Sequence, residues 1–256
     1  TVMYASDYVL RKSKQMRTIV KGFLPMLGVM IVTGWLVFVE PDLGALIVIT
    51  AIAIGILYLG GLTLRVIVSL AILGPIGVWG AIQISPYKQA RIQGFLDPWA
   101  KENVFNSGYQ TTQAQMAFGN GEYFGSGVGN SVAKLSFLPE AHTDFIMAII
   151  GEEFGLFGVT IVICLFAFLI VRMFGIAKES IKNNRHFAAL MAQGIAIWFS
   201  VQCTINIAVN LGLFPTKGLT LPLLSFGGSS ILVSIIAIAI VLRIDHENRR
   251  NLRGQH

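Results

Sequence analysis

The sequence TDFIMAIIGEEFGLFGVTIVICLFAFLIV, residues 143–171, decides the fold. A helix needs about 20 mostly apolar residues to cross the hydrocarbon core of a bilayer. This stretch exceeds that length, and its charged residues all lie in its first half. The whole chain agrees, because 54% of its 256 residues are hydrophobic and only 12% are charged. Soluble domains carry about 25% charged residues, so the composition excludes a soluble protein.

Five further apolar stretches have the same character. They predict, with residues 143–171, six transmembrane helices at residues 22–39, 43–61, 63–84, 143–171, 187–213 and 225–244. The expected fold is therefore an all-α polytopic membrane protein with a single membrane domain. A long loop, residues 85–142, connects the third predicted helix to the fourth. Its aromatic residues and glycines favour a folded loop over a disordered linker.

Lys and Arg residues are unequally divided between the two sides of these predicted helices. Fourteen of the 19 fall on the side that holds both termini, and the other five fall on the side with the longest loop. Basic residues accumulate in cytoplasmic loops, so both ends of the chain are predicted to be cytoplasmic. Membrane topology thus explains the net charge of +6 without a nucleic-acid partner.

An acidic motif, PEAHTD at residues 139–144, leads directly into the fourth predicted helix. One interpretation is that Thr143 or Asp144 is a plain helix cap, and Asp is favoured there as a cap and against the helix dipole. The other is that Asp144 is a general base at the outer mouth of the helices, with Glu140 and His142 beside it. In an extended segment these three side chains would share a face and leave a divalent cation open as a cofactor. One short segment rarely completes a metal site, and we assign none.

The outer loop also contains a short predicted helix and a run of glycines. Residues 110–118, which begin with Gln110, have the pattern of an amphipathic helix in the membrane interface. Residues 119–129 resemble a phosphate-binding loop. Without a preceding strand, however, such a run is more often a flexible turn.

The start of the last predicted helix has a composition suited to an anionic headgroup. It contains the sequence GGSS at residues 227–230, which would offer backbone N–H groups and hydroxyls at a helix N-terminus. A close crossing of two helices at the glycine pair is an equally compatible interpretation. Lys217 lies in the preceding loop, between Pro215 and Pro222.

Two glutamates lie inside the fourth predicted helix. Glu152 and Glu153 are roughly 12–14 Å deeper than Asp144 at 1.5 Å per residue. Ionisable groups at such depth are costly and are functional candidates by default. The structural alternative is that they pair with polar side chains of the fifth predicted helix, namely Gln202, Asn206 and Asn210.

Six motifs resemble those of the SEDS family, whose name stands for shape, elongation, division and sporulation. They are EPDLG at 40–44, YxxxRxxxFLDPW at 87–99, GYQxxQ at 108–113, KLSFLPEAHTDFI at 134–146, GEEFG at 151–155 and LFPTKGLTLPLLSFGGSS at 213–230. The resemblance covers almost the whole chain in order. PEAH at 139–142 and PTKGLTLP at 215–222 are most similar to the division branch of the family.

This resemblance implies a fold and a chemistry. The chain would be the C-terminal portion of a ten-helix bundle that polymerises lipid II into glycan strands. The implied location is the bacterial cytoplasmic membrane at the division septum. The implied partners are a class B penicillin-binding protein and other division proteins. Asp144 corresponds to the family's essential outer-loop aspartate and would deprotonate the 4-hydroxyl of the acceptor sugar.

Location and charge in the sequence suggest which groups act together with Asp144. Glu140, His142 and Gln110 would support it. The donor would be a glycan linked to undecaprenyl pyrophosphate, whose departure needs positive charge or N–H donors. The candidates for that task are Lys134, Lys217, Arg91, Gly227, Gly228, Ser229 and Ser230.

Two other functions are compatible with the sequence. A flippase that moves lipid II across the membrane would use the intramembrane Glu152–Glu153 pair and the polar face that carries Asn206 and Asn210. A non-catalytic division scaffold would use its helices mainly to dock partner proteins.

Overall fold

The structure is a computed structural model that describes residues 1–16, 18, 22–40, 42–83 and 86–252. Three parts of the sequence predictions lie outside these residues. They are the last residue of the predicted helix 63–84, the first residue of the loop 85–142 and the proline of the EPDLG motif.

The described part of the chain is helical and contains no strand. Its helices are α1 (Val2–Arg11), α2 (Leu24–Val39), α3 (Leu43–Leu59), α4 (Leu64–Gln83), α5 (Pro86–Leu96), α6 (Tyr109–Gly121), α7 (Ile146–Lys182), α8 (His186–Asn210) and α9 (Gly228–Leu252). A 3-10 turn lies at Ser13–Gln15 and a π-helical turn at Ala133–Phe137. The all-α part of the predicted fold class is confirmed.

Three of these helices, α7, α8 and α9, are long and apolar enough to cross a membrane. α2 and α3 are apolar but shorter, and α4 has 20 residues. These helices support an integral membrane protein. α7 continues to Lys182 and α9 to Leu252, beyond the apolar stretches 143–171 and 225–244. The search for uninterrupted apolar stretches could not reveal these extensions because they contain several charged residues.

The chain folds as two compact units. The first contains residues 1–73, 168–201 and 232–256, and the second contains residues 74–167 and 202–231. In the first unit the core joins α7, α8 and α9 through small side chains and methionines, which allow the helices to approach closely. The residues of that core include Met173, Ala177, Met191, Ala192, Ala196, Phe199, Ala237 and Val241.

The second unit contains the outer loop and the ends of α7 and α8 that adjoin it. Two alanines of α6, Ala114 and Ala117, pack against Phe145, Ala148 and Val209. The outer loop is therefore folded, and the helix expected at residues 110–118 is present as α6. The whole acidic motif lies in this unit.

Candidate functional site

Asp144 lies in a tight turn just before α7. The backbone N–H groups of Thr143, Asp144 and Phe145 all donate to the carbonyl oxygen of Glu140, at 3.2, 3.0 and 3.3 Å. Glu140 itself has a φ of 55°, in the left-handed region. This segment is not extended, so the shared face that would bring Glu140, His142 and Asp144 together does not form. The described residues contain no group of three or more His, Cys, Asp or Glu that could hold a metal ion.

Two asparagines of α8 hold the backbone of Asp144. The side-chain nitrogens of Asn206 and Asn210 donate to the carbonyl oxygen of Asp144, at 3.0 and 2.9 Å. Asn210 Oδ1 also accepts from the N–H of Ala148 at 3.0 Å and so caps the first turn of α7. Both asparagines are fully buried. Their position on α8 therefore fixes where the peptide of Asp144 lies.

The loop that follows α8 is anchored to the same helix. Asn206 Nδ2 donates to the carbonyl oxygen of Leu219 at 2.6 Å, and Gln202 Nε2 donates to that of Thr220 at 2.8 Å. This anchoring brings Gly218 to the carboxylate of Asp144, where a Cβ added to the glycine would lie 3.6 Å from Oδ2. Lys217 is the residue that precedes Gly218 in this loop.

The start of α9 joins this site through two contacts. The N–H of Phe226 donates to the carbonyl oxygen of His142 at 2.9 Å, and the hydroxyls of Thr220 and Ser230 lie 2.9 Å apart. Gly228 and Ser229 are exposed at the first turn of the helix. The structure therefore brings the segment 227–230 to the same side of this unit as the acidic motif.

A small cavity of about 200 Å³ lies next to the loop that carries Lys217. Arg91 from α5 and Gln110 from α6 line it together with the buried Thr216. Asn106, Ser107 and Ala90 complete the lining. Two of the predicted site residues, Arg91 and Gln110, thus face one cavity.

Lys134 belongs to a second cluster, around residues 129–134. Its Nζ lies 2.6 Å from Glu153 Oε1 and donates to the carbonyl oxygen of Gly129 at 2.6 Å. Glu152, 2% exposed, accepts from the hydroxyl of Ser131 and from two backbone N–H groups of residues 132 and 133. The glutamates therefore pair with the outer loop, whereas Gln202, Asn206 and Asn210 bind backbone carbonyls elsewhere.

The glycine-rich run 119–129 lies against a break in α7. Gly155 has φ 65° and ψ −164°, which interrupts the helix. The backbone groups that the break leaves unpaired bind residues 122–127 instead. The carbonyl oxygens of residues 152 and 153 accept from the N–H groups of residues 126 and 127. The N–H groups of residues 156 and 157 donate to the carbonyl oxygens of residues 122 and 123. Irregular backbone within a membrane helix is tolerated where protein buries it.

Close approach explains two of the glycines in this run. A Cβ at Gly121 would clash with the carbonyl oxygen of Gly151, and a Cβ at Gly125 would clash with that of Glu153. The glycines are thus required by contact with α7, whether or not a phosphate is present.

Sequence reasoning singled out Asp144 but did not reveal how its backbone is held. The signal was present, because Gln202, Asn206 and Asn210 recur every four residues and so share one face of α8. The hydrogen-bond partners of these side chains could not be predicted, because every residue has a backbone carbonyl and none is marked by the sequence.

Comparison with known proteins identifies the family. A family model described as FtsW/RodA/SpoVE cell cycle protein matches residues 1–250. A protein named probable peptidoglycan glycosyltransferase FtsW from Aromatoleum aromaticum is 52% identical over 252 residues, which cover 98% of this chain and 61% of the relative. A protein of the same name from Thiomonas intermedia is 47% identical over 257 residues, which cover 100% of this chain and 62% of the relative. The chain thus spans about 60% of the length of these relatives.

Solved structures agree with the sequence matches. One solved chain comes from a structure that describes how a peptidoglycan synthase complex coordinates polymerization and crosslinking. It aligns with this chain with a TM-score of 0.73 at 25% sequence identity. The alignment covers 96% of this chain and 70% of the solved chain. The rod shape determining protein RodA of Thermus thermophilus aligns with a TM-score of 0.60 at 22% identity, covering 95% and 64%. The resemblance to the SEDS proteins is confirmed, and the chain belongs to the FtsW/RodA/SpoVE family of cell cycle proteins.

Proposed function

We propose that this protein is a peptidoglycan glycosyltransferase that polymerises lipid II into glycan strands during cell division. The observation that carries the proposal is the placement of Asp144. Its backbone is held by Asn206 and Asn210, and its carboxylate faces the loop that contains Lys217 and Gly218. The names of the most similar relatives support the same activity.

In this reaction Asp144 acts as the general base. Its carboxylate accepts the proton of the acceptor sugar's 4-hydroxyl, and that oxygen attacks the anomeric carbon of the donor chain. The bond from the anomeric carbon to undecaprenyl pyrophosphate breaks, and the pyrophosphate carries away the electron pair. A base at the edge of a folded loop suits this step, since the lipid-linked sugars must reach it from the membrane surface.

Positive charge beside the leaving pyrophosphate would stabilise the transition state. Lys217 and Arg91 are candidates, because Lys217 adjoins Gly218 and Arg91 lines the cavity next to Thr216. The N–H groups at the exposed start of α9 are a further source. Lys134 is a third candidate, and its Nζ also pairs with Glu153. A divalent cation that arrives with the substrate could share this task.

The setting proposed for the whole protein follows the family. It would be a ten-helix bundle in the bacterial cytoplasmic membrane at the septum, of which this chain contributes six spans with both ends cytoplasmic. Its proposed partners are a class B penicillin-binding protein and other division proteins. The structural similarity to a chain of a peptidoglycan synthase complex supports such a partnership.

The flippase alternative receives less support from the geometry. It would need Glu152 and Glu153 to face a path for the headgroup. Glu152 instead binds the outer loop through three hydrogen bonds, and Glu153 binds Lys134. These contacts support a role for the pair in holding the loop.

The test is a polymerisation assay with purified full-length protein, lipid II and the partner penicillin-binding protein. Asp144→Ala and Asp144→Asn should abolish glycan strands, because both remove the base. Glu102→Gln, an exposed acidic residue of the same outer loop, is the matched control and should leave the rate unchanged. Normal polymerisation by Asp144→Ala would refute the proposal. Loss of lipid II flipping on neutralising Glu152 and Glu153, with flipping intact in Asp144→Ala, would favour the flippase.

A further inference from the structure

We infer that Asn206 is a positioning residue that sets the carboxylate of Asp144 against the loop of residues 217–220. The inference rests on the proposed function of Asp144 as general base. It starts from a single buried amide group that donates to two backbone carbonyls far apart in the sequence. Asn206 Nδ2 lies 3.0 Å from the carbonyl oxygen of Asp144 and 2.6 Å from that of Leu219.

The chemistry of the amide fits this bridge. The NH₂ group of an asparagine has two N–H donors, and here two carbonyl oxygens receive them. One carbonyl belongs to the turn before α7, and the other belongs to the loop after α8. A side chain with a single donor could not hold both segments at once.

The neighbours of Asn206 on α8 divide the same task. Gln202, one turn earlier, donates to the carbonyl of Thr220 and so holds the loop. Asn210, one turn later, donates to the carbonyl of Asp144 and so holds the turn before α7. Asn206 binds both segments, and its own backbone carbonyl accepts a 2.9 Å hydrogen bond from Asn210 Nδ2. Asn206 is therefore the residue that fixes the loop after α8 relative to the turn before α7.

Asn206 is 1% exposed, so it does not reach a substrate from its present position. Its influence on the reaction must pass through Asp144 and the loop. A displacement of a reacting group by about 1 Å can cost about 100-fold in rate. Loss of the bridge should therefore lower kcat by roughly 10- to 100-fold, while KM changes by no more than about threefold.

The experiment compares matched variants of the full-length protein in the lipid II polymerisation assay. Asn206→Leu keeps the number and branching of the side-chain heavy atoms and removes both donors. Gln202→Leu removes the same chemistry one turn away and leaves the carbonyl of Asp144 untouched. Thr204→Val changes an exposed position of the same helix and should leave kcat and KM unchanged. The expected order of kcat is Thr204→Val, then Gln202→Leu, then Asn206→Leu as the slowest.

A second variant protects the test against misfolding. Asn206→Gln keeps both donors but moves them by one methylene, so it should fold and still lower kcat with little change in KM. Folded Asn206→Leu or Asn206→Gln protein with a normal kcat would overturn the inference, and so would an equal loss of kcat in Gln202→Leu. A raised KM with unchanged kcat would also overturn it. Normal activity of Asp144→Ala would refute the proposed function instead.

Discussion

The carboxylate of Glu152 accepts a 2.5 Å hydrogen bond from the hydroxyl of Ser131, which lies 21 residues earlier in the outer loop. The N–H groups of Val132 and Ala133 donate to the same carboxylate at 3.2 and 3.1 Å. A buried donor left without its acceptor costs about 1–3 kcal/mol, so these three contacts matter for stability. Glu152 therefore fastens the π-helical turn that begins at Ala133 onto α7.

Glu152→Gln should destabilise the protein by about 1–3 kcal/mol, because the amide cannot accept from all three donors and its own NH₂ group faces donors. The measurement is the thermal unfolding of the detergent-solubilised protein, followed by intrinsic fluorescence. Glu122→Gln is the control, because Glu122 is exposed on the same outer loop. Its effect should stay within about 0.5 kcal/mol. Equal melting temperatures for Glu152→Gln and the parent would contradict the assigned role.

The second prediction concerns the ion pair between Lys134 and Glu153, which are 26% and 11% exposed. Lys134→Ala should lower both stability and polymerisation, because it leaves Glu153 uncompensated. The double variant Lys134→Ala/Glu153→Gln should recover much of the loss, with a coupling energy of about 0.5–3 kcal/mol in a double-mutant cycle.

The same cycle tests whether Lys134 acts on the substrate. If its charge balances the leaving pyrophosphate, the double variant will fold well and still polymerise slowly. Recovery of the rate together with stability assigns Lys134 to holding the loop.

The third prediction uses two glycines that lie two residues apart in α6. Gly121→Ala should reduce the yield of folded protein strongly, because its Cβ would meet the carbonyl oxygen of Gly151. Gly119→Ala is the matched control, because an added Cβ there finds open space. It should be neutral or stabilise the protein by up to about 1 kcal/mol, since alanine favours the helix. Monodisperse protein recovered after size-exclusion chromatography is the measure, and similar yields for both variants would refute the close contact.

The helices were predictable because apolar stretches long enough to cross a bilayer leave few alternatives. Their ends were not. α7 begins at Ile146 because residues 140–144 turn around the carbonyl of Glu140. α8 ends at Asn210, and Gly212 follows with a φ of 72°, so the predicted span to residue 213 is three residues too long.

The site was predictable only in part, for a physical reason. Asp144 stands out as an acidic residue before an apolar helix, and the family resemblance singles it out as well. The partners of Glu152 and Asn206 are backbone atoms distant in the sequence, and no periodicity encodes them. The glycines of residues 119–129 are conspicuous in the sequence. The physical requirement for them, which is close contact with the broken part of α7, is visible only in the structure.

The break at Gly155 divides α7 into two helical segments, residues 146–154 and 156–182. A continuous helix transmits a twist or a push along its axis, because every turn is bonded to the next. At Gly155 that ladder is interrupted, and the bonds on either side go to residues 122–127 instead. We expect a strain applied to the segment 156–182 to be absorbed at this joint and by the loop beside it. Asp144, which adjoins the short segment 146–154, would then keep its position while the segment 156–182 moves.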